Sequence, residues 1–309
     1  MLMRIAVVLN EKAGTLADSD LGAVSTGIRT AFAHAGHTVT VSAVKPDAMV
    51  HAIRRALVAR PDALVVGGGD GSLNTALNLI GDAPVALGVL PLGTMNLTAR
   101  DAGLPLDPVD AAKAMARGSI EWIDVAAMGE RRFLHAVALG FYPWMVLDRE
   151  RARRRRGLAK WPAMLRAGFR ALFRRHELEV DVVLDTDTGE VVRIRTPLLL
   201  VANNRFVEGE GPVPSRASLA DGELAVYVAV AEGPFALLRL AAAVAAGRWE
   251  SAPDIRFAAC RALRVRSHRR RLRVAIDGEL DYVVPPIEFR LLGGRLAFIL
   301  PPPGAGRGS

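Results

Sequence analysis

The sequence predicts an α/β protein: an N-terminal, Rossmann-like α/β domain followed by a second, β-rich sandwich domain. Three observations predict it. Apolar runs of strand length alternate with helical patterns through the first third of the chain; two of those runs end in glycine loops; and after about Ile120 short alternating strands separated by turn signals take over. The 309 residues suffice for two domains with cores of their own, and 51% hydrophobic against 23% charged residues exclude a disordered chain.

The elements follow in order. Ile5–Leu9 is a first strand; it leads into polar residues with no small-residue cleavage site, which argues against a signal peptide. A helical pattern over about 21–35, a strand Thr38–Val44, a helix over about 47–59 and a strand Ala63–Val66 complete repeated β-α units around a mostly parallel sheet. The run Val65-Val66-Gly67-Gly68-Gly69-Asp70-Gly71-Ser72-Leu73-Asn74 then passes from strand through glycine loop into helix. Glycines allow close backbone approach, and amide dipoles at a helix N-terminus favour an anion, so the loop suits a phosphate; it is equally routine as plain α/β architecture. A second strand, Val85–Leu90, runs into Pro91-Leu92-Gly93-Thr94-Met95-Asn96-Leu97, and ligands of open α/β sheets collect outside such strand ends.

The β-rich part carries turn signals at Met128-Gly129-Glu130, Thr188-Gly189, Asp221-Gly222 and Asp277-Gly278. The expected domains are 1–125 and 126–284, with 285–309, including the strands Ile287–Leu291 and Leu296–Leu300, returning to the first and ending in a loose tail from Pro301.

Charge and cysteine narrow the setting. A net charge of +8 and a pI of about 10.4 imply an anionic partner, whether nucleic acid, phosphorylated ligand or acidic lipid. Aromatic residues make up only 6% and no base-stacking motif stands out, which disfavours nucleic acid. A single cysteine, Cys260, allows no intramolecular disulfide and no cysteine metal cluster, which suits a reducing cytoplasm; the six histidines show no ligand spacing. The nearest candidate for a membrane span, Phe235–Ala246, is short and contains Arg239.

Several separated motifs resemble one family, the lipid kinases built on the diacylglycerol kinase catalytic domain, in their bacterial soluble form. They are Gly68-Gly69-Asp70-Gly71-Ser72-Leu73-Asn74, Leu90-Pro91-Leu92-Gly93-Thr94-Met95-Asn96, Ile123-Asp124-Val125, Ala220-Asp221-Gly222-Glu223-Leu224 and Ile276-Asp277-Gly278-Glu279, and they span nearly the whole chain. Sphingosine kinases are related, and nicotinamide dinucleotide kinases, more distantly, share the first glycine loop. The resemblance implies an α/β nucleotide-binding domain, a β-rich lipid-binding domain, and transfer of the γ-phosphoryl group of ATP to a hydroxyl of diacylglycerol or a related lipid, with Mg²⁺, in phospholipid biosynthesis.

Carried over residue by residue, the resemblance implies that Asn10, Gly69, Asp70, Gly71, Ser72, Leu73, Asn74, Thr75 and Thr94 contact ATP, with Asp70 organising the catalytic Mg²⁺. Glu279 matches the general base, and Asp124 an aspartate that supports the metal through water. Asp221, with the backbone carbonyls of Ser218 and Glu223, matches a structural magnesium site. Read from the residues alone, Asp70 is also a helix N-cap, Asp277-Gly278 and Asp221-Gly222 are also tight turns, and Asp124 is also a solvated acid at a strand end.

The chain departs from the family pattern in three places. Thr75 stands where a glutamate is usual and Leu97 where an aspartate is common, Asp101 being the nearest acid beyond it. The loop Asn10-Glu11-Lys12-Ala13-Gly14-Thr15 lacks the frequent proline and trailing lysine. A non-catalytic nucleotide- or membrane-binding member and a kinase of a soluble dinucleotide are therefore the alternatives.

Between Arg151 and Arg175 the chain carries ten Lys or Arg and no acid. After Pro162, Leu165, Phe169 and Leu172 share one helical side and Arg166, Arg170 and Arg174 another, a pattern suited to an anionic membrane interface or to packing with a solvated arginine face. A second basic run, Arg264, Arg266, Arg269, Arg270, Arg271 and Arg273, reads mainly as a solvated strand face. The expected setting is therefore cytoplasmic and peripheral at the inner membrane face, with a lipid substrate at an anionic surface, no nucleic acid, and a homodimer as an allowed assembly.

Overall fold

Uninterrupted apolar residues from Ile5 to Leu9 have no polar face to offer solvent, so the strand they form is covered on both sides, as parallel strands in α/β sheets are. The structure is a computed structural model and describes residues 2–14, 20–147, 178–184, 191–208, 215–230, 233–248 and 251–306. The chain divides into two units, Met1–Val125 with Ser218–Ala220 and Gly293–Ser309, and Ala126–Ala217 with Asp221–Leu292.

In the first unit the elements run β1 (Arg4–Asn10), α1 (Leu21–His34), β2 (Thr38–Val44), α2 (Met49–Val58), β3 (Ala63–Gly68), α3 (Asp70–Ile80), β4 (Ala86–Pro91), α4 (Leu97–Asp101), α5 (Pro108–Ala116) and β5 (Ser119–Ile123). The helix expected over 47–59 is split, because Pro46 opens a 3-10 turn over Pro46–Ala48 before α2 begins. Asp20 and Asp107 cap α1 and α5, each carboxylate accepting from two backbone N–H groups of the first turn. A strand from the far end of the sequence, β20 (Leu296–Leu300), completes the sheet in the order β2-β1-β3-β4-β20-β5. β20 is parallel to β4, while β5 is antiparallel to β20.

In the second unit the strands are β6 (Ala126–Met128), β7 (Arg131–Phe133), β8 (Ala136–Gly140), β9 (Leu178–Leu184), β10 (Val191–Thr196), β11 (Leu198–Asn203), β12 (Phe206–Val207) and β13 (Ser215–Arg216). They continue with β14 (Leu224–Ala229), β15 (Ile255–Cys260), β16 (Ala262–Arg266), β17 (Leu272–Ile276), β18 (Glu279–Val283) and β19 (Ile287–Leu291). Two antiparallel sheets, β10-β9-β16-β19-β6-β7 and β15-β14-β11-β8-β17-β18, face each other as a sandwich. One apolar cluster joins them: Met128, Phe133, Val180, Val265 and Phe289 from the first sheet meet Leu139, Val201, Val226, Val274 and Ile276 from the second. Phe133 and Phe289 meet edge to face, centroids 6.4 Å apart. The helix Gly233–Ala245 contributes Leu240, which clusters with Ala229.

The final strands part company. Ile287–Leu291 alternates apolar and charged residues and pairs with β16 and β6 in the sandwich, whereas Leu296–Leu300 is apolar throughout and lies inside the parallel sheet. The return to the first unit therefore begins at Gly293 and not at residue 285. The basic segment Arg151–Arg175 and the turn Thr188-Gly189 lie outside the described residues. No helix among the described residues is long and apolar enough to cross a membrane.

Candidate functional site

Three loops of the first unit leave neighbouring parallel strands at one level. Leu9 pairs with Gly67, and Gly68 with Pro91, so Asn10, Gly69 and Leu92–Thr94 emerge together at the carboxyl end of β1, β3 and β4. The loops touch through their glycines. A Cβ on Gly93 would lie 2.4 Å from Gly69 Cα, and one on Gly68 only 2.5 Å from Ser72 Oγ. Gly14, in the first loop, places its Cβ position 3.7 Å from Thr94 Oγ1. Asn96 holds the third loop in shape: its Oδ1 accepts from the Gly93 N–H (2.8 Å) and its Nδ2 donates to the Gly93 carbonyl (2.9 Å), from a left-handed backbone with φ 51°. Because both partners in the Gly69–Gly93 contact are backbone, Gly93→Ala cannot be relieved by a rotamer change. It is expected to destabilise the unit by about 1–3 kcal/mol, measured by chemical denaturation.

The helix that starts in this cradle, α3, has Gly69 as its N-cap, with no side chain capping the first turn. Asp70 is therefore not the cap; it sits inside the first turn, and its Oδ1 accepts from the Thr98 N–H at 3.4 Å. An uncapped helix start exposes amide dipoles to an anion. The three residues beyond Ser72, inside α3, are differently employed. Leu73 belongs to the core, the Asn74 side chain is buried and accepts from Asn78 Nδ2 (3.1 Å), and Thr75 Oγ1 donates to the Gly71 carbonyl (2.9 Å). Asn10 forms a turn, its Oδ1 accepting from the Lys12 N–H (3.1 Å). Thr94 is exposed at the rim.

The residues present fit a phosphate chain with Mg²⁺. One carboxylate, Asp70, follows Gly69 where its backbone closely approaches Gly93, and Mg²⁺ is commonly held by one or two carboxylates together with phosphate oxygens and water. Among the described residues no group of three acids, histidines or cysteines is placed to bind an ion on its own. Leu97, at the first position of α4, supplies no second carboxylate.

The structure does not bring Asp124 to these loops. It follows β5, whose Ile123 pairs with Leu296 on β20, and Phe298 pairs with Leu87 on β4; Asp124 thus lies at the level where β4 begins, while the glycine loops follow where it ends. There it is buried, its Oδ1 accepts from the Gly294 N–H (2.9 Å), and its own N–H donates to the Leu219 carbonyl (2.8 Å). It ties together the distant segments that complete the first unit, including the one containing Ser218. Ser218 Oγ accepts from the Ala220 N–H (3.0 Å). Asp221 and Glu223 belong to the second unit, where Asp221 is exposed and the Glu223 carbonyl accepts from the Asn204 N–H (3.0 Å).

Glu279 lies in the second unit, just past a two-residue turn. Asp277 and Gly278 have φ of 46° and 84°, the pair of positive angles that a type I′ hairpin requires. The Asp277 carboxylate also gathers three backbone donors, Oδ2 accepting from the Leu134 N–H (3.0 Å) and Oδ1 from the N–H groups of His135 (2.9 Å) and Ala136 (3.0 Å). The turn is thereby fastened to the start of β8. Glu279 and Asp281 point to one side of β18, where Arg131 of β7 bridges them at 3.2 and 2.9 Å. β7 and β18 are the edge strands of the two facing sheets, so this guanidinium clamps the sandwich at one edge and orients the Glu279 carboxylate. Neither Asp277 as an anchor nor Arg131 as a clamp is readable from local sequence.

Beneath the turn, His135 is buried against Phe206 (centroids 4.9 Å apart), and its Nε2 has no hydrogen-bond partner among the described residues. Burial, and secondarily the Arg216 charge, hold its pKa well below the ordinary 6.5. The folded state thus refuses a proton that the unfolded chain accepts, so stability falls as pH drops below about 6.5, at about 1.4 kcal/mol per unit until the folded group titrates. His135→Phe is expected to remove this loss between pH 7.5 and 5.5, measured by denaturant titration at both values.

Comparison with known proteins places this geometry. Residues 4–128 match the model of the diacylglycerol kinase catalytic domain, and residues 145–299, half of the chain, match that of the YegS C-terminal NAD kinase beta sandwich-like domain. A diacylglycerol kinase of Mycobacterium tuberculosis is 32% identical over 196 residues, spanning 62% of this chain and 62% of that protein's length. A probable lipid kinase YegS-like protein of Pseudomonas aeruginosa is 40% identical over 91 residues, 29% of this chain and 30% of that protein. The solved structure of a diacylglycerol kinase from Bacillus anthracis str. Sterne shares the fold, with a TM-score of 0.70 at 20% identity over 97% of both chains. A second Bacillus anthracis structure gives 0.77 at 22%, again over 97% of both. With both of its units matched in sequence order, the chain belongs to the family of diacylglycerol kinase catalytic domains joined to a YegS-type sandwich.

Proposed function

We propose that the protein is an ATP-dependent lipid kinase that transfers the γ-phosphoryl group to a hydroxyl of diacylglycerol or a related lipid. The observation that carries this is the convergence of the loops after β1, β3 and β4 at the close backbone contact of Gly69 with Gly93, with Asp70 next to it in sequence. Backbone amides of Gly69 to Gly71, with the Ser72 and Thr94 hydroxyls, hold the phosphates, and Asn10 lies at the nucleotide end of the same edge. Leu73, Asn74 and Thr75 shape the helix beneath the loop and do not bind phosphate directly: their side chains are committed to core and helix, and the Leu73 N–H donates to the Gly69 carbonyl. Asp70 would hold Mg²⁺ beside the phosphates, and the ion, when bound, would supply charge compensation for the transferred group.

Glu279 takes the proton of the acceptor hydroxyl, the freed oxygen forms the bond to the γ-phosphorus, and the bond from that phosphorus to ADP breaks. Arg131 keeps the carboxylate oriented for that step. The acceptor is drawn from an anionic membrane surface on the cytoplasmic side, a reading supported by the net charge of +8.

The test is incubation of the purified protein with γ-labelled ATP, Mg²⁺ and mixed vesicles containing diacylglycerol, followed by organic extraction. Label is expected in the lipid phase and is expected to vanish with Asp70→Ala. Label found only on a soluble dinucleotide, or none on any lipid of a panel, overturns the proposal.

A further inference from the structure

The second basic run does not behave as a uniform solvated face. Arg273 lies between two rings, its guanidinium carbon 3.9 Å from the Trp144 ring centroid and 4.8 Å from that of Tyr282, and its Nη2 donates to the Tyr282 hydroxyl. Arg269 and Arg271, both exposed, join it around a cavity of about 130 Å³ that Trp144, Tyr282 and Leu178 also line. No acid lines this cavity among the described residues. Its volume is that of roughly four liquid waters. That is well below the ~300 Å³ and more of a pocket for a whole nucleotide or drug-sized ligand.

Strand alternation fixes which side of the hairpin it occupies. Leu272, Val274 and Ile276 of β17 point into the sandwich core, so Arg273 and its cross-strand partner Tyr282 point outward. Glu279 pairs with Ile276 and therefore faces the other way, on the side that Arg131 bridges. The cavity is thus separate from the carboxylate proposed as base, and it lies within a single unit.

We infer that the Arg269–Arg271–Arg273 cavity is a binding site for a phosphate mono- or diester group, distinct from the nucleotide cradle. Planar guanidinium groups match phosphate oxygens in pairs, and the ring clamp orders Arg273 before the ligand arrives, which lowers the entropic cost of binding. Trp144 and Tyr282 add apolar faces beside the charge, as a headgroup attached to glycerol would use. The inference stands without the kinase proposal: failure of lipid labelling leaves it intact.

The phosphoryl group can come from a lipid headgroup or from free phosphate, and calorimetric titration of the full chain separates them. Inorganic phosphate, short-chain phosphatidic acid below its micelle concentration, and short-chain phosphatidylcholine are titrated in parallel. Saturable binding is expected, weakened at least tenfold in R269Q/R271Q and in R273K, and unchanged in R261Q/R266Q, which removes the same charge from exposed positions outside the cavity. Tighter binding of phosphatidic acid than of phosphate, by tenfold or more, assigns the site to a headgroup; equal affinity assigns it to free phosphate. Absence of saturable binding by all three ligands, or equal weakening in the R261Q/R266Q control, overturns the inference, with melting temperatures confirming that each variant is folded.

Discussion

Glu279→Gln is expected to lower kcat for lipid phosphorylation by roughly 10²–10⁴-fold, the usual contribution of a positioned general base, while the KM for ATP stays within about twofold. The amide keeps the size of the side chain and can still accept from Arg131, so the sandwich edge remains closed. What disappears is the capacity to take a proton. Asp281→Asn is the matched control, two residues along the same strand and 2.9 Å from the same guanidinium. It is expected to leave kcat within a few-fold of the parent. Steady-state assays with diacylglycerol vesicles measure both; full activity in Glu279→Gln would move the base elsewhere.

The second large effect is expected at Asp277. Its carboxylate receives three backbone N–H groups, from Leu134, His135 and Ala136, and charged acceptors make the stronger class of hydrogen bond. Asp277→Ala strands these donors at a buried strand start and puts alanine at φ 46°, so a loss of about 3–5 kcal/mol is expected in denaturant titration. Asp277→Asn should fall between, because Oδ1 can still serve His135 and Ala136 while the amide nitrogen opposes Leu134. Activity should follow the same order, since the turn that loosens is the one that presents Glu279. A variant series in which stability fell and kcat did not would separate the anchor from the catalytic carboxylate.

Much of the first unit is legible because its information is local. Strand-to-glycine-to-helix order at Val65–Asn74 marks the loop, and apolar continuity in Ile5–Leu9 and Ala63–Val66 marks parallel strands covered on both faces. The same criterion separates the final strands: Ile-Glu-Phe-Arg-Leu alternates, as a sandwich strand does, while Leu-Ala-Phe-Ile-Leu does not. Position along the chain alone assigns both to the first unit, and for Ile287–Leu291 that assignment is wrong.

What escapes a reading of the sequence are contacts between distant residues. Arg131 and Glu279 are 148 positions apart, and Asp277 reaches back more than 140 to its amides; neither leaves a periodic trace. For Asp70 the structure removes the local alternative, the helix N-cap, because Gly69 fills that position. The level of Asp124 is likewise set by sheet register, through strands far apart in the chain, and puts it where β4 begins, which its local motif does not specify.

The insertion of β20 between β4 and β5 has a consequence for how the chain is made. β5 is synthesised by residue 123, yet the neighbour that joins it to the sheet arrives only with residues 296–300. At about 5–20 residues per second on the ribosome, the first unit waits roughly 9–35 s with an open β4 edge and an unpaired β5. Nascent chains stalled near residue 290 should therefore be readily cleaved by protease around β5, and protection should appear once the last strand has cleared the exit tunnel. The sheet that precedes the sandwich is closed only after the sandwich encoded within it has been made.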